Sequence, residues 1–190
     1  MSGDQTAAGD RVRVRRIPTG DLTKLEIAAI RDVLWSAFDD EDGGMREVDW
    51  QHALGGMHFV LDIDGRILAH ASVVEREIHV ADLPLRAGYV EAVATAPREQ
   101  GRGLGSLVMV DAGRYIGEQF ELGVLGTGRH AFYERLGWST WRGPSGVRTP
   151  DGVRPTPDED GFILVLRTAT SPSLDFSARI TCDSREGDVW

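Results

Sequence analysis

A glycine-rich turn between a strand-like and a helix-like segment constrains this chain more than any other feature. It reads Val93-Ala94-Thr95-Ala96-Pro97-Arg98-Glu99-Gln100-Gly101-Arg102-Gly103-Leu104-Gly105-Ser106-Leu107. Pro97 ends the strand before it, because proline has no N–H for a strand ladder. After it, Leu104, Val108, Ala112, Tyr115, Ile116 and Phe120 recur at three- and four-residue spacing, which marks one side of an amphipathic helix. A dinucleotide-binding turn needs glycine at its first, third and sixth places; Gly101 and Gly103 fit, but Ser106 stands at the sixth. The lysine followed by serine or threonine that a nucleotide triphosphatase loop needs after its last glycine is absent from the turn. What remains is Gln100-x-x-Gly103-x-Gly105 at a helix start. Backbone N–H groups have no helical partner there and share about half a positive charge from the macrodipole, so an anion can close on positions that carry no side chain. A diphosphate is the natural occupant.

The surrounding pattern supplies the other elements. Residues 11–17 alternate as an edge strand would, and a first helix over 22–37 is predicted with Asp21 as its N-cap. An acidic loop at 39–44 precedes a short helix near 47–54, which Gly55-Gly56 stops. Three strands are predicted at 57–63, 66–79 and 86–95. The first two are joined by Asp64-Gly65, a dipeptide suited to a tight hairpin. Downstream of the turn and its helix come a short strand at 122–125 and a helix at 129–136 closed by Gly137. Four prolines (Pro144, Pro150, Pro155, Pro157) mark 143–161 as a surface excursion without regular structure. Strands at 162–166 and 178–182 complete the reading, before an exposed acidic end.

The 190 residues fit one domain, read as a flexible leader at 1–10 and a single unit at 11–190. Apolar residues make up 41%, enough to fold without metals or disulfides. The single cysteine, Cys182, forms no internal disulfide and suggests a reducing, cytoplasmic setting. No apolar run reaches the roughly 20 residues a bilayer needs, nor is there one of signal-peptide length at the amino terminus. Thirty acidic against twenty-one basic residues give a net charge of -9, which disfavours nucleic acid and anionic membrane and suits a cationic partner. The five histidines are spread over different elements without cysteine or carboxylate partners at zinc spacing, so no metal is expected.

Gln100-x-x-Gly103-x-Gly105 resembles the acyl-CoA pyrophosphate loop of the GCN5-related N-acetyltransferase (GNAT) superfamily. Two further segments resemble it in the right order. Tyr89-Val90-Glu91-Ala92-Val93-Ala94 stands where that superfamily holds the acetyl carbonyl and pantetheine, and Ala131-Phe132-Tyr133-Glu134-Arg135-Leu136-Gly137-Trp138 is similar to its "xFYExxGF" segment. The resemblance implies an α+β fold: a central mixed, mostly antiparallel twisted sheet flanked by helices, with a splayed strand pair that admits acetyl-CoA. It also implies acetyl-CoA as co-substrate, bound through Val93, Ala94, Thr95, Gln100, Gly101, Arg102, Gly103, Leu104 and Gly105. Many members form homodimers through edge strands or helices, and the sequence leaves monomer and dimer both open.

Longer strings resemble one subgroup, the aminoglycoside 2'-N-acetyltransferases. They are Asp49-Trp50, His52-Ala53-Leu54-Gly55-Gly56-Met57-His58, Leu85-Arg86-Ala87-Gly88 running into Tyr89, Gly143-Pro144, Arg154-Pro155-Thr156-Pro157-Asp158-Glu159-Asp160-Gly161, and 180–190 ending Gly187-Asp188-Val189-Trp190. That likeness implies transfer of an acetyl group to the 2'-amine of an aminoglycoside in a ternary complex, conferring resistance. Glu91 would be the base, acting through water, and Tyr133 the acid that returns a proton to the CoA thiolate. Ala92, Asp158, Glu159, Asp188, the terminal carboxylate of Trp190 and either Asp40 or Asp42 would contact the drug, alongside Glu91. Three positions depart from the subgroup: Glu159 replaces an aspartate, Ser184 replaces a tryptophan, and the acidic loop differs in length.

The chemistry asks for such groups. An aliphatic ammonium has a pKa near 10 and attacks a thioester only after losing a proton. Backbone N–H groups beside the base, such as that of Val93, suit the oxyanion that forms. A phenol stays protonated at neutral pH and can donate to a thiolate. Two other readings stand beside this one: acetylation of a different amine (polyamine, peptide or cell-envelope amino sugar), and a non-catalytic acyl-CoA or drug-binding module.

Overall fold

The computed structural model describes residues 12–38 and 44–190. The leader at 1–10 and the acidic loop, with Asp40 and Asp42, lie outside the described residues. β1 (Arg13–Pro18) runs antiparallel to β2 (Met57–Ile63), which turns through Asp64-Gly65 into β3 (Arg66–Val80). β3 in turn pairs antiparallel along its length with β4 (Leu83–Thr95). β4 then runs parallel to β5 (Leu122–Gly126), but only through Ala87, Gly88 and Tyr89. Residues 90–95 of β4 lack that neighbour, and the sheet parts there.

Alternation along the strands sends side chains to two faces. Val60 joins Ile30, Val33 and Leu34 of α1 (Lys24–Ala37) together with Trp50 of α2 (Glu47–His52). Its neighbours Phe59 and Leu61 join Val108, Met109, Ala112 and Ile116 of α3 (Leu104–Gln119) on the other face. Beyond β5 lie β9 (Ile163–Arg167) and then β6 (Ser139–Thr140), and α4 (His130–Glu134) links β5 to β6 along the chain. None of the described helices is long and apolar enough to cross a membrane.

The helix over 22–37 starts later than its pattern suggested, and Asp21 is not its cap. Thr19–Asp21 forms a 3-10 turn, and Thr23 caps α1 instead. Its hydroxyl accepts from the Glu26 N–H at 3.2 Å while the Glu26 carboxylate accepts from the Thr23 N–H at 2.9 Å, a reciprocal box that Asp21 lacks. The proline-rich excursion is corrected too. It contains a hairpin of β7 (Ser145–Thr149) and β8 (Gly152–Pro155), tolerated because β8 is a sheet edge where the missing N–H of Pro155 does no harm. β10 (Ile180–Asp183) joins this hairpin to the body, parallel to β7 and antiparallel to the far end of β3.

Candidate active site

The predicted anion loop takes the form its glycines allow. Beyond β4 a single 3-10 turn, Pro97–Glu99, leads to Gly101 and Gly103 at φ +78° and +81°, left-handed values that disfavour a side chain. Gly103 caps α3, and its carbonyl receives the N–H groups of Ser106 and Leu107 at 3.0 and 3.2 Å. Among the described residues, the N–H groups of Gly101, Arg102, Gly103, Leu104 and Gly105 have no protein acceptor. Gln100 helps shape this cradle: its side-chain amide donates to the Thr95 carbonyl at 3.2 Å and ties the loop to the end of β4. A Cβ on Gly105 would lie 3.0 Å from Thr95 Oγ1 and 3.6 Å from Phe132, so glycine lets the helix start close on both. Arg102 reaches back to Glu99 in an exposed ion pair.

Glu91 sits where the sheet parts. Opposite it the β3–β4 register slips: His70 faces Ala94 and Ser72 faces Glu91, leaving Ala92 and Val93 against Ala71 alone. This bulge holds Ala92 at φ +52°. Ala94 is buried toward α1, whereas Val93 packs on the α3 side. The Glu91 side chain is half-buried, and its Oε1 accepts from Arg185 Nη1 at 2.6 Å. Its Oε2 makes no hydrogen bond among the described residues.

Tyr133 lies in α4, buried edge-on against Phe132 at 4.8 Å and near Trp138 at 6.2 Å, in the cluster that holds Val90 and Leu104. Burial pushes its phenol up to about 12, against a small opposing pull from Arg129, so it stays protonated.

The carboxyl end is built into the body instead of fraying. Arg76, buried within β3, donates to the carbonyls of Val189 and Asp183 at 2.8 and 2.9 Å. His52 at the end of α2 donates to the Glu186 carbonyl at 2.8 Å. Gly187, at φ +75°, passes so close to α2 that a Cβ would lie 3.1 Å from Val48 Cγ2. The buried Trp190 donates its indole N–H to Thr156 Oγ1 at 3.0 Å. This strap brings Asp188 near Glu159, whose carboxyl is raised by burial first and then by the charges of Asp188 and Asp158. Asp188 also meets Arg46 at 3.4 Å.

Sequence reasoning missed Arg185, Arg76, Tyr89 and a histidine pair. Arg76 and Arg185 flank the Tyr89 ring at 4.7 and 5.5 Å, and the buried Tyr89 hydroxyl has no hydrogen-bond partner among the described residues. An arginine at an inward position between Val74 and Ile78 was the available signal. The histidines are less dispersed than expected, since His58 and His70 touch across the β2–β3 hairpin.

A sheet that parts at a bulged strand, beside a helix start with open amides, defines an N-acetyltransferase of the GNAT type. Residues 20–141 match the family described as acetyltransferase (GNAT) domain, and the chain belongs to that family. It is 39% identical over 180 residues to an aminoglycoside 2'-N-acetyltransferase of Mycolicibacterium fortuitum, covering 93% of this chain and 91% of that protein. A GNAT family N-acetyltransferase from Escherichia coli, solved with CoA, shares the fold at a TM-score of 0.64 and 16% identity, over 93% of this chain and 92% of that one. The GNAT structure from Kribbella flavida aligns at 0.56 and 19% identity over 70% of this chain, which spans about a third (34%) of that protein's length.

Proposed function

We propose that this chain moves the acetyl group of acetyl-CoA to the 2'-amino group of aminoglycosides by direct attack in a ternary complex. The observation that carries the reading is the position of Glu91, next to the bulge at the point where β4 leaves β5. The open amides at 101–105 hold the coenzyme's diphosphate, which directs the thioester along the parted strands toward that carboxylate. Arg185 occupies Oε1, leaving Oε2 to take a proton from the substrate ammonium through water. The freed amine attacks the thioester carbon, and the developing oxyanion is met by the Val93 N–H. The C–S bond then breaks, the departing thiolate takes the Tyr133 proton, and the nitrogen, made acidic by acylation, gives its second proton back to the Tyr133 phenolate, so that the neutral amide leaves and the phenol is restored. The charges of Asp188 and Asp158 acting on the part-buried Glu159 carboxyl support a polycationic acceptor, since an ammonium held beside Glu159 relieves that repulsion.

The test is steady-state CoA release with an aminoglycoside bearing a 2'-amine against one bearing a 2'-hydroxyl. Turnover of the amine alone is expected. Equal turnover of both overturns the regiochemistry, and turnover of neither overturns the substrate class.

A further inference from the structure

His58 and His70 are fully buried, and Trp50 covers both at ring separations of 6.0 and 6.4 Å. They belong to a string of hydrogen bonds whose direction is set by its last acceptor. The Ala92 carbonyl can only accept, so the His70 proton is on Nδ1, 2.8 Å away. The bare Nε2 of His70 then accepts from His58 Nδ1–H at 2.9 Å. Thr19 has one hydroxyl proton and two acceptors, His58 Nε2 at 2.8 Å and the Gly56 carbonyl at 3.2 Å; given to the nearer, it leaves His58 Nε2 bare, while Thr19 Oγ1 accepts from the Gly55 N–H at 2.9 Å. With the proton so placed, each ring is neutral. Burial favours that form, drawing His58 down to about 4 and His70 to about 3.

The string ends on the one non-glycine residue of the 89–94 segment with a left-handed backbone, Ala92. Such a conformation costs an alanine about 1–2 kcal/mol and persists only where its surroundings hold it. A trans peptide sets C=O and N–H on opposite sides, so a carbonyl drawn toward His70 turns the Val93 N–H of the same peptide away from it. The two imidazoles thus govern an amide beside Glu91 without touching the open cleft.

We infer that His70, locked into its tautomer by His58, is a positioning residue that fixes the Ala92–Val93 peptide so that the Val93 N–H meets the acetyl carbonyl of the bound thioester. This deepens the acetyl-CoA reading above and rests on it.

The experiment compares wild type, His70→Phe and His70→Asn, the last retaining an N–H near the position of Nδ1. Binding of acetyl-CoA and of CoA is measured by calorimetry, and kcat and KM by CoA release. His70→Phe should lower kcat about ten- to a hundredfold. It should also abolish any preference for acetyl-CoA over CoA while leaving CoA affinity unchanged, and His70→Asn should restore both. An equal fall in affinity for the two ligands, unchanged kcat, or no rescue by asparagine overturns the positioning role. Should His70→Phe not fold, nitrogen-15 spectra of the wild type decide. Nδ1-protonated tautomers of both rings and a Val93 amide that shifts with acetyl-CoA but not with CoA are expected; any other tautomer, or identical shifts, overturns the role. Wild type that binds neither ligand sinks the acyl-CoA reading itself.

Discussion

Lowering the pH from 7.5 to 5.0 should remove about 4 kcal/mol of folding stability through the buried histidine pair alone. Folded His58 and His70 titrate at about 4 and about 3, against about 6.5 when exposed in the unfolded chain. Their folded values are depressed, so the unfolded chain binds more protons throughout that interval. The contribution is complete above about pH 6.5 and is lost as the pH falls below it. At pH 5.0 an unfolded imidazole is almost wholly charged and its folded counterpart almost wholly neutral, which amounts to about 2 kcal/mol per ring. The limiting slope is about 2.7 kcal/mol per pH unit for two protons. Glu26, held down at about 2 mainly by the Thr23 N–H and also by Arg15, costs stability only below about pH 4.5, outside this window. Glu159 is raised and acts in the opposite sense, gaining stability as the pH falls. Urea unfolding followed by tryptophan fluorescence at half-unit pH steps measures the sum, and His58→Leu should lose about half as much. A stability at pH 5.0 within about 1 kcal/mol of its value at pH 7.5 would refute neutral burial of the pair.

Glu91→Gln should reduce kcat about a hundred- to ten-thousandfold with little change in acetyl-CoA affinity; a decline confined to KM would move the base elsewhere. Tyr133→Phe should lower kcat about tenfold or more while the melting temperature holds, because the hydroxyl makes no hydrogen bond within the described residues; a matched loss of stability would make it a packing residue. Gly187→Ala should cost about 1–3 kcal/mol in thermal unfolding, from its left-handed backbone and the approach to Val48, and should raise the acceptor's KM more than that of acetyl-CoA. Added salt should raise the KM of a polycationic acceptor through the rim formed by Asp158, Glu159 and Asp188, and a flat response would remove that rim from recognition.

The parts of the fold legible in the sequence were those written locally. The Gln100 to Gly105 turn, the Asp64-Gly65 hairpin and the periodicity of α3 each fit within one short window, and the structure matches them. The start of α1 was misplaced because Asp21 and Thr23 are both good caps in isolation, and only the partner at Glu26 decides between them. β7 and β8 were hidden because proline density signals a loop unless the strand is known to lie on an edge, which is a property of the assembled sheet. The least legible contacts join distant segments. Arg185 reaches Glu91 across 94 positions and Arg76 reaches Val189 across 113, and neither arginine belongs to a local pattern that names its partner. His58 and His70 were within reach: the hairpin register sets His70 opposite Val60, which puts His58 on its diagonal.

β10 is four residues long, yet it fills the gap between the far end of β3 and β7. Without it, both neighbours would present bare amides and carbonyls along adjoining borders, the arrangement by which separate chains add strands to one another. Versions of this protein shortened before Ile180 should therefore fail by sticking together before they fail by unfolding, and light scattering would register the damage sooner than circular dichroism.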